Sequence, residues 1–252
     1  MASLLRGRRE ARGALHGALE HSHASASTSA YLAHLARRGY RSAMRVGLIA
    51  DTHLPSLIRH LDELGPEPAE FLATVDLILH AGDISTRTVL DWCEQFAPVR
   101  AVRGNHDVFD DPRLAERQVV ELEGWRVGMT HDLRPRTASP GELSSMHFDG
   151  ADLDVMIAGD THVEWLEYRD GVLLVNSGSP NLPHNKETRL GTVGLLEVER
   201  GRLHAEIVTL GETDGRPNPG TPQHIEVAEG RLVGSSYNRD ASAEPPRAAL
   251  RG

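Results

Sequence analysis

Seven separated polar residues, grouped in five short clusters, constrain the fold and chemistry of this chain more than any other feature. They are Asp51, His53, Asp83, Asn105, His131, Asp160 and His162. The gaps between clusters run from about twenty to just over thirty residues, the length of one strand–helix–strand step. Four of the five clusters follow an apolar run typical of a buried strand. Because strand ends gather at one edge of a sheet, the pattern predicts a shared site in an α/β domain.

Composition excludes several classes of protein. The 252 residues are enough for one domain with tails or two small domains, and the formal net charge of −9 argues against non-specific binding to nucleic acid. No apolar run approaches the ~20 residues that a membrane-spanning helix needs. The single cysteine, Cys93, excludes an internal disulfide and is interpreted as a packed core thiol. We therefore expect a cytoplasmic protein with a small-molecule substrate.

The two ends of the chain differ from its middle. Residues 1–43 contain seven arginines, no lysine and two acidic residues, and a strand pattern begins abruptly after Met44. We interpret 1–43 as a disordered extension or an overlong start, in preference to a transit peptide. Residues 44–210 are the predicted domain. Residues 211–252 are a polar tail that we expect to be largely disordered, with one possible hairpin at 223–233.

The domain combines two kinds of pattern. Buried strands are predicted at 46–50, 77–81, 99–102 and 155–158. Helices are predicted at 86–96 and 142–148, and hairpins at 119–130, 163–176 and 193–210. The first half alternates strands and helices, whereas the second half is rich in hairpins. This predicts an α/β fold of two mixed sheets packed together with helices outside.

The clusters offer ligands suited to divalent metals. Asp51 and His53 are alternate residues after a strand and point the same way. Asp83 follows a glycine and is placed to bridge two ions with its two oxygens. Asn105 supplies a neutral oxygen, which leaves His106 beside it free to act as a general acid or electrostatic clamp rather than as a ligand.

The ligand types narrow the choice of metal. Carboxylate, imidazole and amide groups without thiolate argue against a structural zinc or iron–sulfur site. The predicted cofactors are two divalent ions, with Mn²⁺ favoured by the oxygen content and Fe²⁺, Zn²⁺, Ni²⁺ or Mg²⁺ as alternatives.

In this order, the motifs D-x-H, GD, GNHD, TH and G-x-T-H resemble those of the calcineurin-like metallophosphoesterases. The resemblance is strongest to their minimal bacterial and archaeal phosphodiesterase branch and covers about residues 45–210. It implies a four-layer αββα sandwich. It assigns one ion to Asp51, His53, Asp83 and His162, and a second ion to Asp83, Asn105, His131 and Asp160.

The chain departs from this family pattern in several places. Asp160 stands where the family usually has the first histidine of G-H-T-H, and Asp132 follows His131 where glycine is common. Residues 176–180 resemble the N-P-G-S loop beside the site. That loop often continues with Pro-Arg, but here His184 follows the proline. Arg189 is then either a substitute phosphate ligand or a solvated surface residue.

The resemblance implies a metal-dependent phosphoesterase that hydrolyses small phosphodiesters, or nucleotide-like substrates, through a dinuclear centre and a bridging hydroxide. Two alternatives stay open. One is a phosphomonoesterase acting on protein or small metabolites. The other is a non-catalytic scaffold, like the retromer subunit that keeps this fold.

Overall fold

The computed structural model describes residues 43–236, and the structural statements below concern that range. Its helices are α1 (Glu67–Leu72), α2 (Arg87–Cys93) and α3 (Pro140–His147), with short 3-10 turns at Leu61–Leu64 and Pro183–Asn185. Its strands are β1 (Met44–Ile49), β2 (Leu77–His80), β3 (Val99–Val102), β4 (Leu114–Ala115), β5 (Gln118–Leu122), β6 (Trp125–Met129), β7 (Val155–Ala158), β8 (Trp165–Arg169), β9 (Val172–Asn176), β10 (Thr192–Glu199), β11 (Arg202–Thr209), β12 (Gln223–Ala228) and β13 (Arg231–Ser235).

The strands form two mixed sheets. The first sheet has eight strands in the order β13-β12-β11-β10-β1-β2-β3-β4. Its β1–β4 half is parallel and its β10–β13 half is antiparallel. The second sheet has five strands in the order β5-β6-β7-β9-β8, with β6, β7 and β9 parallel. The predicted pair of mixed sheets is confirmed.

Alternating side chains separate the layers. Val46 and Leu48 of β1 face the second sheet and pack in one core with Val127 and Ile157, whereas Ile49, the residue after Leu48, packs outward. This is the period of two expected of a strand buried on both faces.

Helices cover the outer faces of both sheets. Leu72 of α1 and Leu90 of α2 join the outer core of the first sheet, and Leu143 of α3 packs with Met156 and Leu174 on the second. The four-layer αββα sandwich is therefore confirmed. Cys93 is fully buried in α2, and burial raises the pKa of its thiol to about 12, as expected of a core residue.

The domain continues beyond residue 210, where the sequence pattern placed its end. The hairpin predicted at 223–233 is present as β12 and β13, and it extends the first sheet by two strands. Ile225 and Val227 alternate with polar residues and bury their side chains in the core between the sheets. The first sheet therefore extends past residue 210, and the polar neighbours of these two strands obscure the alternation in the sequence. The predictions for residues 1–42 and 237–252 concern parts of the chain that lie outside the described residues.

Helix α1 and the turn before it were not predicted from the sequence. They occupy the segment between β1 and β2, where Pro66 and Pro68 interrupt the apolar pattern. Within residues 43–236, no helix has both the length and the apolar character needed to cross a membrane.

Candidate metal centre

The five predicted clusters follow β1, β2, β3, β6 and β7, so every one of them lies just beyond the carboxyl end of a strand. Three of these strands are parallel neighbours in the first sheet and two are parallel neighbours in the second. The two sheets pack face to face. Their strand ends therefore bring ligands from both sheets to one place, as expected for an α/β site.

Backbone hydrogen bonds interlock the clusters. The amide of Asp51 donates to the carbonyl of Gly82 at 2.9 Å, and the amide of His53 donates to the carbonyl of Asp83 at 2.9 Å. The amide of Asp160, from the other sheet, donates to Oδ1 of Asp51 at 3.0 Å. These bonds fix the relative positions of the side chains.

The backbone at these clusters is unusual. Five predicted ligands have φ between 46° and 69°, the left-handed region that non-glycine residues seldom occupy: Asp51, His53, Asp83, Asp160 and His162. Such conformations cost free energy and persist where the surroundings enforce them, which is common at functional sites.

Two glycines make the close approach possible. A Cβ on Gly82 would lie 2.6 Å from Nδ1 of His131, and a Cβ on Gly104 would overlap the backbone nitrogen of Asp83. Any larger residue would push the predicted ligands apart. Close packing therefore explains why the GD and GNHD motifs contain glycine at these two positions.

Asp83 occupies the middle of the site. Its Oδ2 lies 3.3 Å from Nε2 of His53, and its Oδ1 lies 3.4 Å from Nε2 of His131. The two carboxylate oxygens thus face different imidazoles, so the side chain of Asp83 would be able to bind two ions.

The site contains three groups of potential ligand residues, and within each group the ligand atoms lie within 4.8 Å of one another. They are Asp51, His53 and His162; Asp51, Asp83 and His131; and His53, Asp83 and His106. Asn105 and Asp160 join from the side, since the Asn105 amide donates to Oδ1 of Asp160 at 3.2 Å and that oxygen lies 3.8 Å from Nε2 of His131. The structure therefore brings all seven predicted residues together.

Burial and charge perturb the carboxylates in opposite directions. Asp51 is fully buried, and desolvation raises its pKa to about 7. Burial also acts to raise the pKa of Asp83. His131 and the backbone amide of His106 stabilise its charged form and outweigh burial, so its pKa falls to about 2.

The histidines also differ from one another. Burial disfavours protonation of His131, but the contact with Asp83 and the charge of Asp51 outweigh it and raise its pKa to about 9. Burial lowers the pKa of both His53 and His162. Asp83 is therefore charged at pH 7, and the lowered pKa values of His53 and His162 favour the neutral imidazoles that bind cations, whereas Asp51 and His131 hold protons that a cation would displace.

Within residues 43–236, two buried ligand atoms of the site lack hydrogen-bond partners, which also fits the binding of divalent metals. Oδ2 of Asp51 and Nε2 of His131 are buried polar atoms without a hydrogen-bond partner in the described part of the chain. Unsatisfied buried groups are costly and rare, so a missing ligand is the direct explanation. Bound ions would satisfy both atoms.

The imidazoles are oriented for coordination. Nδ1 of His131 donates to the carbonyl of Ala81 at 2.7 Å, and Nδ1 of His162 donates to the carbonyl of Leu182 at 2.9 Å. Each bond leaves Nε2 as the coordinating atom, as in known metal sites. Nε2 of His53 and Nε2 of His162 face each other at 3.1 Å in rings only 10° from parallel.

His106 lies on the solvent side of these ligands. Its side chain is 65% exposed, and its Nε2 is 4.0 Å from Oδ2 of Asp83. Its ring centroid is 5.0 Å from that of His53. This position suits a residue that meets the substrate, and it also permits a ligand role beside His53 and Asp83.

Sequence reasoning missed the residues that support the ligands. Ser179 donates to the carbonyl of Asp51 at 2.9 Å, Asn181 donates to the carbonyl of Thr52 at 2.8 Å, and Asn176 donates to the carbonyl of Gly159 at 2.6 Å. The resemblance of 176–180 to the N-P-G-S loop was the available signal. The structure shows that this loop holds the backbone of both D-x-H clusters.

Asp107 was also missed. Its Oδ1 accepts from the amides of Ile84 and Ser85 at 2.7 Å, and its Oδ2 accepts from the amide of Gly104 at 2.8 Å. The last residue of GNHD therefore ties the loop after β3 to the loop after β2.

Arg189 fills neither of its two predicted roles. It is buried, and it donates to Oε1 of Glu187 at 2.7 Å and to the carbonyl of Arg216 at 3.0 Å. Both interpretations of Arg189, as phosphate ligand and as solvated surface residue, are wrong because it anchors the 216–217 loop. His184 pairs with Oε2 of Glu164 at 3.2 Å.

Comparison with known proteins agrees with this geometry. The family model of the calcineurin-like phosphoesterase superfamily domain matches residues 44–201. A probable metallophosphoesterase of Methanothermobacter thermautotrophicus is 32% identical over 171 residues, covering 67% of this chain and 94% of that protein. A phosphodiesterase of Methanocaldococcus jannaschii is 24% identical over 180 residues, covering 66% of this chain and 99% of that protein.

A solved structure shares the fold. Vps29 of Entamoeba histolytica in complex with Zn²⁺ has a TM-score of 0.57 at 21% identity, covering 74% of this chain and 99% of that one. The family model spans more than half of the chain and includes all five clusters. The chain therefore belongs to the calcineurin-like phosphoesterase superfamily.

Proposed function

We propose that this protein hydrolyses small phosphodiesters with the aid of two divalent metal ions. The observation that carries the proposal is the central carboxylate of Asp83, whose two oxygens face two different sets of ligands. Oδ2 of Asp51 and Nε2 of His131 support it, because both are buried among those ligands and have no hydrogen-bond partner in the described part of the chain.

The residues divide between two ions. The first would be held by Asp51, His53, Asp83 and His162, and the second by Asp83, Asn105, His131 and Asp160. When bound, such ions polarise phosphoryl oxygens and lower the pKa of water to roughly 7. We expect Mn²⁺ because oxygen donors predominate, although Zn²⁺ accompanies the same fold in the Entamoeba structure.

The chain itself supplies a proton donor and an open approach. His106 is exposed at the edge of the ligand set, so its imidazole is accessible to the leaving oxygen of a bound ester. A proton transferred from His106 to that oxygen would neutralise the alkoxide as the ester bond breaks. The backbone amide of His106 donates to Oδ1 of Asp83 at 3.0 Å and keeps the residue at this edge.

Two observations favour a diester over a monoester. The relative from Methanocaldococcus jannaschii is named a phosphodiesterase. The side chain of His106 is also 65% exposed, so this edge of the site is open to solvent, as a substrate with a second ester group requires.

The test is a comparison of chromogenic esters. Protein loaded with Mn²⁺ should hydrolyse bis(p-nitrophenyl) phosphate faster than p-nitrophenyl phosphate, and metal analysis should approach two equivalents per chain. A faster monoester would identify a phosphomonoesterase. Folded, metal-loaded protein without activity on either ester would favour the scaffold alternative, and a folded protein that binds no metal would contradict the proposal entirely.

A further inference from the structure

We propose that Arg134 anchors the substrate by binding an anionic phosphoryl oxygen at the edge of the metal centre. The inference deepens the proposed function and rests on it, since the ligand is the phosphoryl group. It concerns a residue outside the recognised motifs, three positions after His131.

Arg134 is held in one orientation. Its Nε donates to Oδ1 of Asp132 at 2.7 Å, and its Nη2 donates to Oδ2 of Asp132 at 2.7 Å. A bidentate pair of this kind fixes the plane of the guanidinium. Asp132 stands where the family often has glycine, and its carboxylate therefore fixes the orientation of the Arg134 side chain.

The oriented guanidinium meets the predicted ligand set. Nη2 of Arg134 also lies 3.4 Å from Oδ2 of Asp160, whose other oxygen accepts from Asn105. Arg134 is thus in direct contact with a predicted ligand of the second ion. Any anion bound to that ion on the side of Asp160 would lie close to this cation.

Arg134 retains capacity for another ligand. Its side chain is 61% exposed. Within residues 43–236, its Nη1 makes no hydrogen bond or ion pair, whereas Nε and Nη2 are both engaged. The free edge of the guanidinium is the one that could bind phosphate, which guanidinium groups recognise through paired N–H donors.

Neighbouring arginines are committed elsewhere. Arg103, which precedes the GNHD motif, donates to the carbonyls of Asp107 and Phe109 and pairs with Glu116. The guanidinium of Arg136 donates to Thr161 and stacks 4.7 Å above the ring of Trp165. In the described part of the chain, Arg134 is the arginine that contacts a predicted metal ligand.

A competing role for Arg134 would be to neutralise Asp160 and so retain the second ion. The two roles make different predictions. An anchor changes the affinity for phosphate and leaves the metal in place, whereas a neutralising residue changes the metal content itself.

The experiment titrates inorganic phosphate into Mn²⁺-loaded protein by calorimetry, with metal content measured in parallel. Arg134→Gln should weaken phosphate binding by about tenfold to a hundredfold, the effect of losing a hydrogen bond to a charged group, with the metal content unchanged. The same variant should raise KM more than it lowers kcat, since an anchor contributes uniform binding. Arg134→Lys should recover part of the phosphate affinity.

Arg202→Gln is the matched control. Arg202 has a similar exposure of 63% and a single carboxylate contact of 3.4 Å with Glu226, at the distance that separates Arg134 from Asp160. It should leave phosphate binding unchanged.

Three results would overturn the inference: wild-type protein that binds no phosphate, an Arg134→Gln variant with unchanged phosphate affinity, or loss of metal in that variant. Failure of the proposed function looks different. In that case the wild-type protein would hydrolyse no phosphoester, while phosphate titration would still decide the role of Arg134.

Discussion

The metal centre has two sides that differ in construction. We define the floor as Asp51, Asp83, His131 and His162, and the rim as Asn105, His106, Arg134 and Asp160. The floor residues are all buried, whereas His106 and Arg134 of the rim are mostly exposed. The floor is enclosed by backbone from both sheets, and the rim faces solvent.

The difference also appears in the supporting contacts. His131 and His162 each donate to a backbone carbonyl, and the backbone of Asp51 is held by Ser179. Rim residues instead contact one another through side chains, as Asn105 and Arg134 do with Asp160. We infer that the floor contributes most of the metal binding. Asn105 and Asp160 of the rim complete the ligands of the second ion, and His106 and Arg134 act on the substrate.

The largest effect should come from the floor. Asp83→Ala should lose most of both ions, because each oxygen of Asp83 faces a different set of ligands. Asn105→Ala, on the rim, should lose at most one ion. Metal analysis after Mn²⁺ loading measures both, with circular dichroism as the control for folding. Equal metal loss in the two variants would erase the distinction between floor and rim.

A rim variant should separate turnover from metal binding. His106→Ala should keep its metal and lose roughly 10²–10⁴-fold in turnover, the usual effect of removing a general acid. The loss should shrink for diesters with very acidic leaving groups, which need little protonation. Loss of metal instead would assign His106 to the ligands, beside His53 and Asp83. An equal loss for good and poor leaving groups would indicate charge stabilisation.

Much of this arrangement could be predicted from the sequence, for a physical reason. Strands buried on both faces are short apolar runs, and a ligand just after such a run must lie at a strand end. Asp51, Asp83 and Asp160 were therefore recognisable from local pattern alone. Helix α1 was not, because its prolines and its few buried residues leave only a weak period.

The supporting residues were beyond the reach of local pattern. Ser179 contacts Asp51 across 128 positions of the chain, and Arg134 contacts Asp160 across more than twenty. Such contacts depend on how the loops pack, which no period in the sequence encodes. In the sequence, Asp132 is only a departure from the family pattern, and the structure shows that it orients Arg134.

The floor should make metal binding depend on pH. An ion at this site must displace the protons of Asp51, whose pKa is raised to about 7, and of His131, whose pKa is raised to about 9. Apparent affinity for Mn²⁺ should therefore rise between pH 6 and pH 8.5, by about tenfold per pH unit for each proton still bound.

In the metal-free protein, Asp51 and His131 should make the free energy of unfolding fall as pH rises. Both groups hold protons more tightly when folded, so their contribution to stability is lost as pH rises: between about 4 and 7 for Asp51, and between about 6.5 and 9 for His131. The increase in Tm on adding Mn²⁺ should thus grow with pH. His106→Ala should show the same slope. An Mn²⁺-induced increase in Tm that does not change with pH would contradict the role of Asp51 and His131 in metal binding. So would a dependence on pH that disappears in His106→Ala.

The smallest effect concerns the loop that supports the floor. Ser179 donates to the carbonyl of Asp51 at 2.9 Å and accepts from the amide of Leu182 at 2.9 Å, and the carbonyl of Leu182 in turn orients His162. Ser179→Ala should lower metal affinity about tenfold to a hundredfold, as for other residues that orient ligands. It should also destabilise the fold by about 1–3 kcal/mol, since buried backbone groups lose their partners.

Ser144→Ala is the matched control, because the Ser144 hydroxyl also donates to a backbone carbonyl, that of Ala151, beside helix α3. Its cost in stability should be similar, and its metal affinity should be that of the wild-type protein. Calorimetric titration with Mn²⁺ and denaturant unfolding measure the two quantities. If both variants lost stability alone, the loop would support the fold without orienting the ligands. The floor would then depend on Ala81 and the interlocked strand ends, where the carbonyl of Ala81 accepts from His131 at 2.7 Å.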